Sequence, residues 1–333
     1  MRVRLEDVAA AAEVSVTTVS RVLSGRGTVA EATRERVHRA LERVGYTRST
    51  LLRPSPARLV VVGAPEAPEH WQLDVCNGVA DRLQAEGLLT APVFLGSDLA
   101  DVRACIAAGA AAVVTPTFTE LDVDVPVVRF AEAAVRAEAP RPAGGTRVGG
   151  EWVAAHIDLT GGLTLAFEHL SALGHRRIGL VCNESGALAR QLEERFLAEH
   201  PVRGLTSRLD EWIAAVPKSY SGGIEAATRL RDATCTALIV QSALQLYGVF
   251  AAMRQRRLVV PRDLSVVGFG DSSTMRYTAP PATVLGLDNP GMTQALVAGV
   301  RTVLDLPGEG MRSVPPTYRP RLLARASTAA ARS

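Results

Sequence analysis

The chain lacks any apolar run that could span a bilayer as a helix. Its longest weakly polar stretch, around 107–116, is far short of the roughly 20 residues required. Cysteine is sparse and scattered: Cys76, Cys105, Cys182 and Cys235 form no C-x-x-C pair, which argues against a zinc site or redox dithiol and for buried free thiols. Lysine is almost missing, since among 37 basic residues only Lys218 is lysine, a bias that codon usage explains before mechanism does. The sequences G-x-S-x-G, H-E-x-x-H and G-x-x-x-x-G-K-[ST] are all absent, and GFGD at 268–271 lacks the third glycine of a dinucleotide loop. His70, His156, His169 and His175 are not spaced as a metal set and read as surface or satisfied interior histidines. Glycine pairs at 149, 161 and 222 read as loops or helix starts. Neither an enzyme nor a bound cofactor is expected.

What is present is a chain of 333 residues, 47% apolar and 21% charged, enough for substantial cores in two or three domains. Arg2, Arg4, Glu6 and Asp7 stand where an export signal would need an apolar centre, so a cytoplasmic location is expected. The net charge of +3 is unevenly spread: residues 1–58 carry eleven arginines against six acids, and the remainder is mildly acidic. A basic head of this kind suits a polyanion, although solvated helix faces also make such clusters.

Within the head, Leu5, Val8, Ala9 and Ala12 recur at helical spacing, and Ser15 is placed to cap a second helix with apolar Val16, Val19, Val22 and Leu23. A third helix from about Glu31 to Val44 would turn Val37, Ala40, Leu41 and Val44 inward and Arg34, Arg36, Arg39 and Arg43 mostly outward. Three short helices around one small core make a helix-turn-helix unit.

The stretch VSVTTVSRVLSG, then TRERV, then Gly45 and Tyr46, resembles the DNA-binding head of the LacI/GalR family of bacterial transcription regulators. The resemblance implies that the helix beginning at Ser15 enters the major groove. Val16 is then expected to meet a thymine methyl, Thr17 to offer a hydroxyl to a base edge, and Arg21 to reach guanine or phosphate. Thr18, Ser20 and Ser24 are expected to position the backbone. The alternative for Val16 is ordinary core. Glu13 occupies a turn position where the family often has glycine, which implies a strained positive φ. Ala30 replaces a capping serine, and Arg4 a capping threonine or serine, at a cost of about 1 kcal/mol per lost cap.

Residues 48–58 correspond to the family's hinge, whose leucine wedge falls on Ser55, between Pro54 and Pro56. Both prolines oppose a helix, so weaker DNA bending is expected, with Leu51 or Leu52 as substitute wedges and Arg53 on phosphate; an extended tether is the alternative.

Beyond the hinge, apolar runs at 59–62, 111–115, 125–130, 178–182, 237–240 and 264–269 alternate with helical patterns at 74–86, 162–173 and 244–256. Alternation of this kind predicts parallel sheets in two lobes, with the chain crossing near 156–159 and 285–290. LGHRRIGLV, VPRDLSVVGFGD and RPRLLARAST extend the resemblance over nearly the whole chain and imply a periplasmic-binding-protein-like core that senses a small molecule. Its usual polyol-clamping positions hold Leu192, Ser242, Ala243 and Gly270. Trp71, Asp158, Arg190 and Asp271 remain as candidate effector contacts, each with a bland alternative as cap, core or surface.

The expected architecture is an all-α head (1–47), a hinge (48–58), a bilobed α/β core (59–328) and a tail (329–333). The expected function is a homodimeric regulator, a repressor first, that binds a palindromic DNA operator and responds to a small molecule. That effector is either sugar-like or less polar than a sugar. A ligand-independent regulator and a sugar-handling enzyme or binding protein are the rivals.

Overall fold

The computed structural model describes residues 5–16, 18, 19, 22, 30, 33, 35–37, 39, 40, 58–132, 147, 148, 150–202 and 209–332. The chain falls into two compact units, Met1–Ala57 and Arg58–Ser333.

In the first unit the helix Leu5–Ala12 contributes Val8, Ala9 and Ala12 to a small core closed by Val19, Val37 and Ala40. Glu13 turns the chain at φ +52°, the left-handed conformation expected of it, which a β-carbon disfavours. Arg36 and Arg39 are exposed, as the amphipathic pattern predicts. The expectations for Arg4, Arg34, Arg43 and the hinge residues Leu51, Leu52, Arg53 and Ser55 lie outside the described residues.

The second unit contains two sheets. The first, in spatial order β12-β6-β4-β3-β1-β2, is built from β1 (Leu59–Pro65), β2 (Leu89–Leu95), β3 (Ala110–Val114), β4 (Val127–Glu132), β6 (Glu151–Ile157) and β12 (Thr317–Tyr318). All these pairs are parallel, and β5 (Arg147–Val148) adds an antiparallel flap on β6. Along β1 the side chains alternate as a pleated strand requires. Val60 and Val62 pack under the helices His70–Ala85 and Asn289–Val303, while Val61 packs with Val102 of the helix Ala100–Ala107. A sheet covered on both faces reads as a continuous apolar run, which is why its central strands are legible in the sequence.

The second sheet, β13-β11-β10-β9-β7-β8, joins β7 (Ile178–Asn183), β8 (Ile213–Val216), β9 (Ala237–Val240), β10 (Ser265–Phe269), β11 (Thr283–Gly286) and β13 (Arg321–Leu323), antiparallel only at β11/β13. The helices Leu159–Ala172, Tyr220–Asp232 and Ala243–Gln255 flank it. The last two touch through their backbones: a β-carbon on Gly223 would lie 2.0 Å from the Gln245 carbonyl oxygen, and one on Gly248 2.1 Å from that of Tyr220. The glycine pair at 222 thus opens a helix and allows a close crossing.

The chain passes between lobes at Asp158, between Gly286 and Asn289, and again between Tyr318 and Arg321. The first two crossings match expectation, and the third adds to them. Residues 329–331 are fastened to the second lobe: the Ala329 carbonyl lies 3.0 Å from His175 Nε2, and the Ala331 N–H donates to the Leu173 carbonyl at 2.8 Å. His175 is a satisfied interior histidine, its Nδ1 3.0 Å from Thr236 Oγ1 and its Nε2 2.9 Å from Ser265 Oγ.

Candidate functional site

In the first unit, Ser15 Oγ accepts from the Thr18 N–H at 3.1 Å and lies 2.8 Å from Thr18 Oγ1, so Ser15 caps the helix that carries Val16, Thr18, Val19 and Val22. The cap fixes which residues face inward. Val19 is fully buried whereas Val16 is 42% exposed, so Val16 does not belong to the apolar face where helical spacing alone would put it. Its side chain is free to meet another surface, next to the exposed Ser15. Thr17, Ser20, Arg21, Ser24 and Arg53 lie outside the described residues.

In the second unit, a cavity of about 260 Å3 opens between the lobes, where the C-terminal ends of β1, β7, β8, β9, β10 and β11 converge. That is where parallel sheets place ligands. Its walls are largely apolar, with Trp71, Phe118, Phe269, Leu188 and Leu287 prominent; Gln72, Asn183, Lys218, Gln241 and Glu69 supply amides and charges, and Thr117, Thr119 and Ser185 hydroxyls.

Of the four effector contacts expected from the sequence, only Trp71 lines this cavity. Asp158 caps the helix Leu159–Ala172 through a 2.8 Å bond from the Gly161 N–H and stands 3.7 Å from Arg319 Nε at the third crossing. Asp271 accepts two bonds from Arg325 Nη2, at 2.8 and 2.9 Å. Arg190 is exposed on the helix Ala187–Val202, one residue beyond the lining residue Ala189. In this structure, then, the two carboxylates have protein partners and the guanidinium stands outside the lining.

The resemblance places a ligand-binding aspartate at position 270. Gly270 there adopts φ +77°, and a β-carbon on it would stand 3.1 Å from Cδ1 of the Trp71 indole, so Trp71 occupies the space that a side chain would need. Leu192, at the expected arginine position, is fully buried core.

The sequence reading missed Glu69 and Lys218. Lys218 Nζ lies 2.7 Å from Glu69 Oε1 and donates to the Ala67 carbonyl at 2.6 Å, so a lysine following β8 reaches a segment before the helix His70–Ala85 in the other lobe. Its uniqueness in the chain was the available signal. Three of the four free thiols are buried as expected, and burial pushes Cys76 and Cys235 up to about 12 and Cys182 up to about 11, which keeps them protonated; Cys105 is only partly buried.

The capped helix in a small all-α unit and the bilobed core with a cleft at its strand ends define a helix-turn-helix regulator with a ligand-binding body. Comparison with known proteins agrees. The profile described as bacterial regulatory proteins, lacI family, matches residues 4–49, and that of the periplasmic binding protein-like domain matches residues 167–328. The HTH-type transcriptional regulator MalR of Streptomyces coelicolor is 31% identical over 99% of this chain and 98% of its own length. Among solved structures, the transcriptional regulator CelR in complex with cellobiose has a TM-score of 0.60 at 24% identity, covering 98% of this chain and 100% of CelR. The lac repressor dimer bound to operator and the anti-inducer ONPF has a TM-score of 0.62 at 20% identity, covering 99% and 100%. The chain belongs to the LacI family of bacterial transcription regulators.

Proposed function

We propose that the protein is a cytoplasmic, homodimeric repressor that reads a palindromic operator with paired heads and releases it when a small molecule occupies the interlobe cavity. The observation that carries the DNA contact is the Ser15 cap, which leaves Val16 exposed at the first turn of its helix while Val19 fills the core. The first turn of a recognition helix meets base edges, and an exposed valine there suits a thymine methyl. Thr17 and Arg21 complete the base contacts, Thr18, Ser20 and Ser24 set the backbone, and Arg53 meets phosphate beside the hinge. Dimerisation follows from affinity: a single small head binds modestly, and two linked heads gain by effective concentration. The lac repressor's dimer on its operator supports that assembly, and CelR's complex with cellobiose supports a small-molecule effector. A ligand acts here only through unequal affinity for the operator-bound and released forms.

The test is selection of bound genomic fragments by the full chain and by the Arg21→Ala variant. Enrichment of one near-palindrome is expected, with a loss of about 1–3 kcal/mol in specific affinity for the variant. Sequence-blind binding that merely weakens with salt would overturn the proposal.

A further inference from the structure

Lys218 is the only lysine in the chain, and its ammonium sits on the wall of the interlobe cavity. Its carboxylate partner, Glu69, belongs to the other lobe, so the pair fastens the cleft across its width. Two primary amides stand on the same wall. The Gln241 side-chain oxygen accepts from the Asn183 N–H at 2.8 Å, and the Asn183 side-chain oxygen accepts from Gln245 Nε2 at 3.1 Å. Each acceptor is thereby engaged, while the NH2 groups of Gln241 and Asn183 have no partner among the described residues. Gln241 is 6% exposed and lines the cavity, where its NH2 group can donate to a bound acceptor. Three donor groups therefore line a cavity whose one carboxylate, Glu69, is already paired, beside the hydroxyls of Thr117, Thr119 and Ser185 and otherwise largely apolar walls. A polyol brings as many hydroxyl donors as acceptors, and apart from Glu69 the side chains of this lining offer those donors hydroxyl oxygens and no further carboxylate.

Building on the cavity as effector site, we infer that it takes a compact monocarboxylate with an apolar body, whose oxyanion displaces Glu69 from Lys218 and is held by the amides of Gln241 and Asn183. The apolar body lies against Trp71, Phe118 and Phe269. The exchange replaces one of the bonds that join the lobes at this wall with a bond from one lobe to the ligand, leaving Lys218 on the Ala67 carbonyl and Glu69 on the Ala243 N–H. Glu69 retains the N–H of Ala243, at 3.4 Å, and the solvent at the cleft mouth.

A single lysine makes the inference measurable on the full-length protein. Acetylation by a water-soluble succinimidyl ester, followed by peptide mass spectrometry, reads Lys218 as the sole modifiable side-chain amine. Benzoate is the probe, benzamide its neutral isostere, and inorganic phosphate an oxyanion without an apolar body. At about 10 mM, benzoate is expected to slow Lys218 acetylation by at least about threefold, as a millimolar ligand would, with benzamide and phosphate each giving less than half that protection. Glu69→Gln is expected to raise basal acetylation and to keep the benzoate protection; Lys218→Met is expected to abolish the benzoate-induced rise in Tm. Equal protection by benzamide, equal protection by phosphate, or no protection by benzoate each overturns the inferred ligand class. Operator affinity measured in the same solutions separates the two levels: protection without any change in operator binding leaves the carboxylate site standing and sinks the effector reading, whereas operator release by a neutral sugar without protection does the reverse.

Discussion

Arg129 is a cation inside a β-sheet lobe, 5% exposed, and every part of its guanidinium is used. Nε meets Glu151 at 2.6 Å, Nη1 donates to the Phe118 and Phe130 carbonyls, and Nη2 reaches Glu120 at 3.2 Å. Glu151 in turn accepts from the Leu121 N–H at 2.6 Å. The pair thus holds the segment whose Thr117, Phe118 and Thr119 form one wall of the cavity. Arg129→Met strands Glu151 in the interior and is expected to cost about 3–5 kcal/mol in urea unfolding, whereas Arg129→Met/Glu151→Leu recovers most of it. A double variant as unstable as the single would show that the loop depends on the charges themselves. At this scale the sequence was least informative. An aspartate before Leu159 and one after Gly270 look alike as candidates, and the structure separates their partners: the Gly161 N–H caps onto the first, and the distant Arg325 guanidinium pairs with the second. Val16 shows the same limit from the other side: its spacing fits an apolar face, and its position at the helix start exposes it.

Elements were more legible than residues where both faces are buried. The apolar runs at β1, β3, β7, β9 and β10 lie within a residue or two of the observed bounds apart from β1's longer C-terminal end. β2 went unread because it is an edge strand with Leu89, Pro92 and Phe94 exposed, where proline is tolerated and the apolar signal is diluted. The helix crossing at Gly223 and Gly248 is similarly hidden, since a glycine in a helix reads as a weakness until the partner helix is known. There the space near Gly248 is filled by backbone: Tyr220 O, Gly223 Cα and Ile224 N lie within 2.1–2.9 Å of a would-be β-carbon. None of these atoms can swing aside as a side-chain tip can. Gly248→Ala is therefore expected to lower stability by about 1–3 kcal/mol or more, despite alanine's better helix propensity. An unchanged Tm for that variant would mean that the two helices part freely.

On the scale of the whole molecule, the last segment of the chain closes the fold. After the third crossing, β13 pairs with β11, Ser327 Oγ donates to the Val266 carbonyl and accepts from the Thr283 N–H, and Thr328 and Ala329 reach His169 and His175. Burial lowers the pKa of both histidines from the usual 6.5, and for His175 the bond to the Ala329 carbonyl only partly opposes that. The unfolded chain therefore binds these protons more readily than the folded one. The stability contributed by the neutral imidazoles is complete above pH 6.5 and falls as the pH drops from 6.5 towards the folded-state values. Thermal unfolding of the intact protein should accordingly show a Tm that declines through this window. His169→Asn and His175→Asn should each flatten the decline, His175→Asn more, because His175 is buried between Thr236, Ser265 and Ala329. A His175→Asn protein whose Tm falls as steeply as the parent's between pH 7 and 5 would show that acid acts on the fold elsewhere and that the carboxyl-terminal clasp is indifferent to protons.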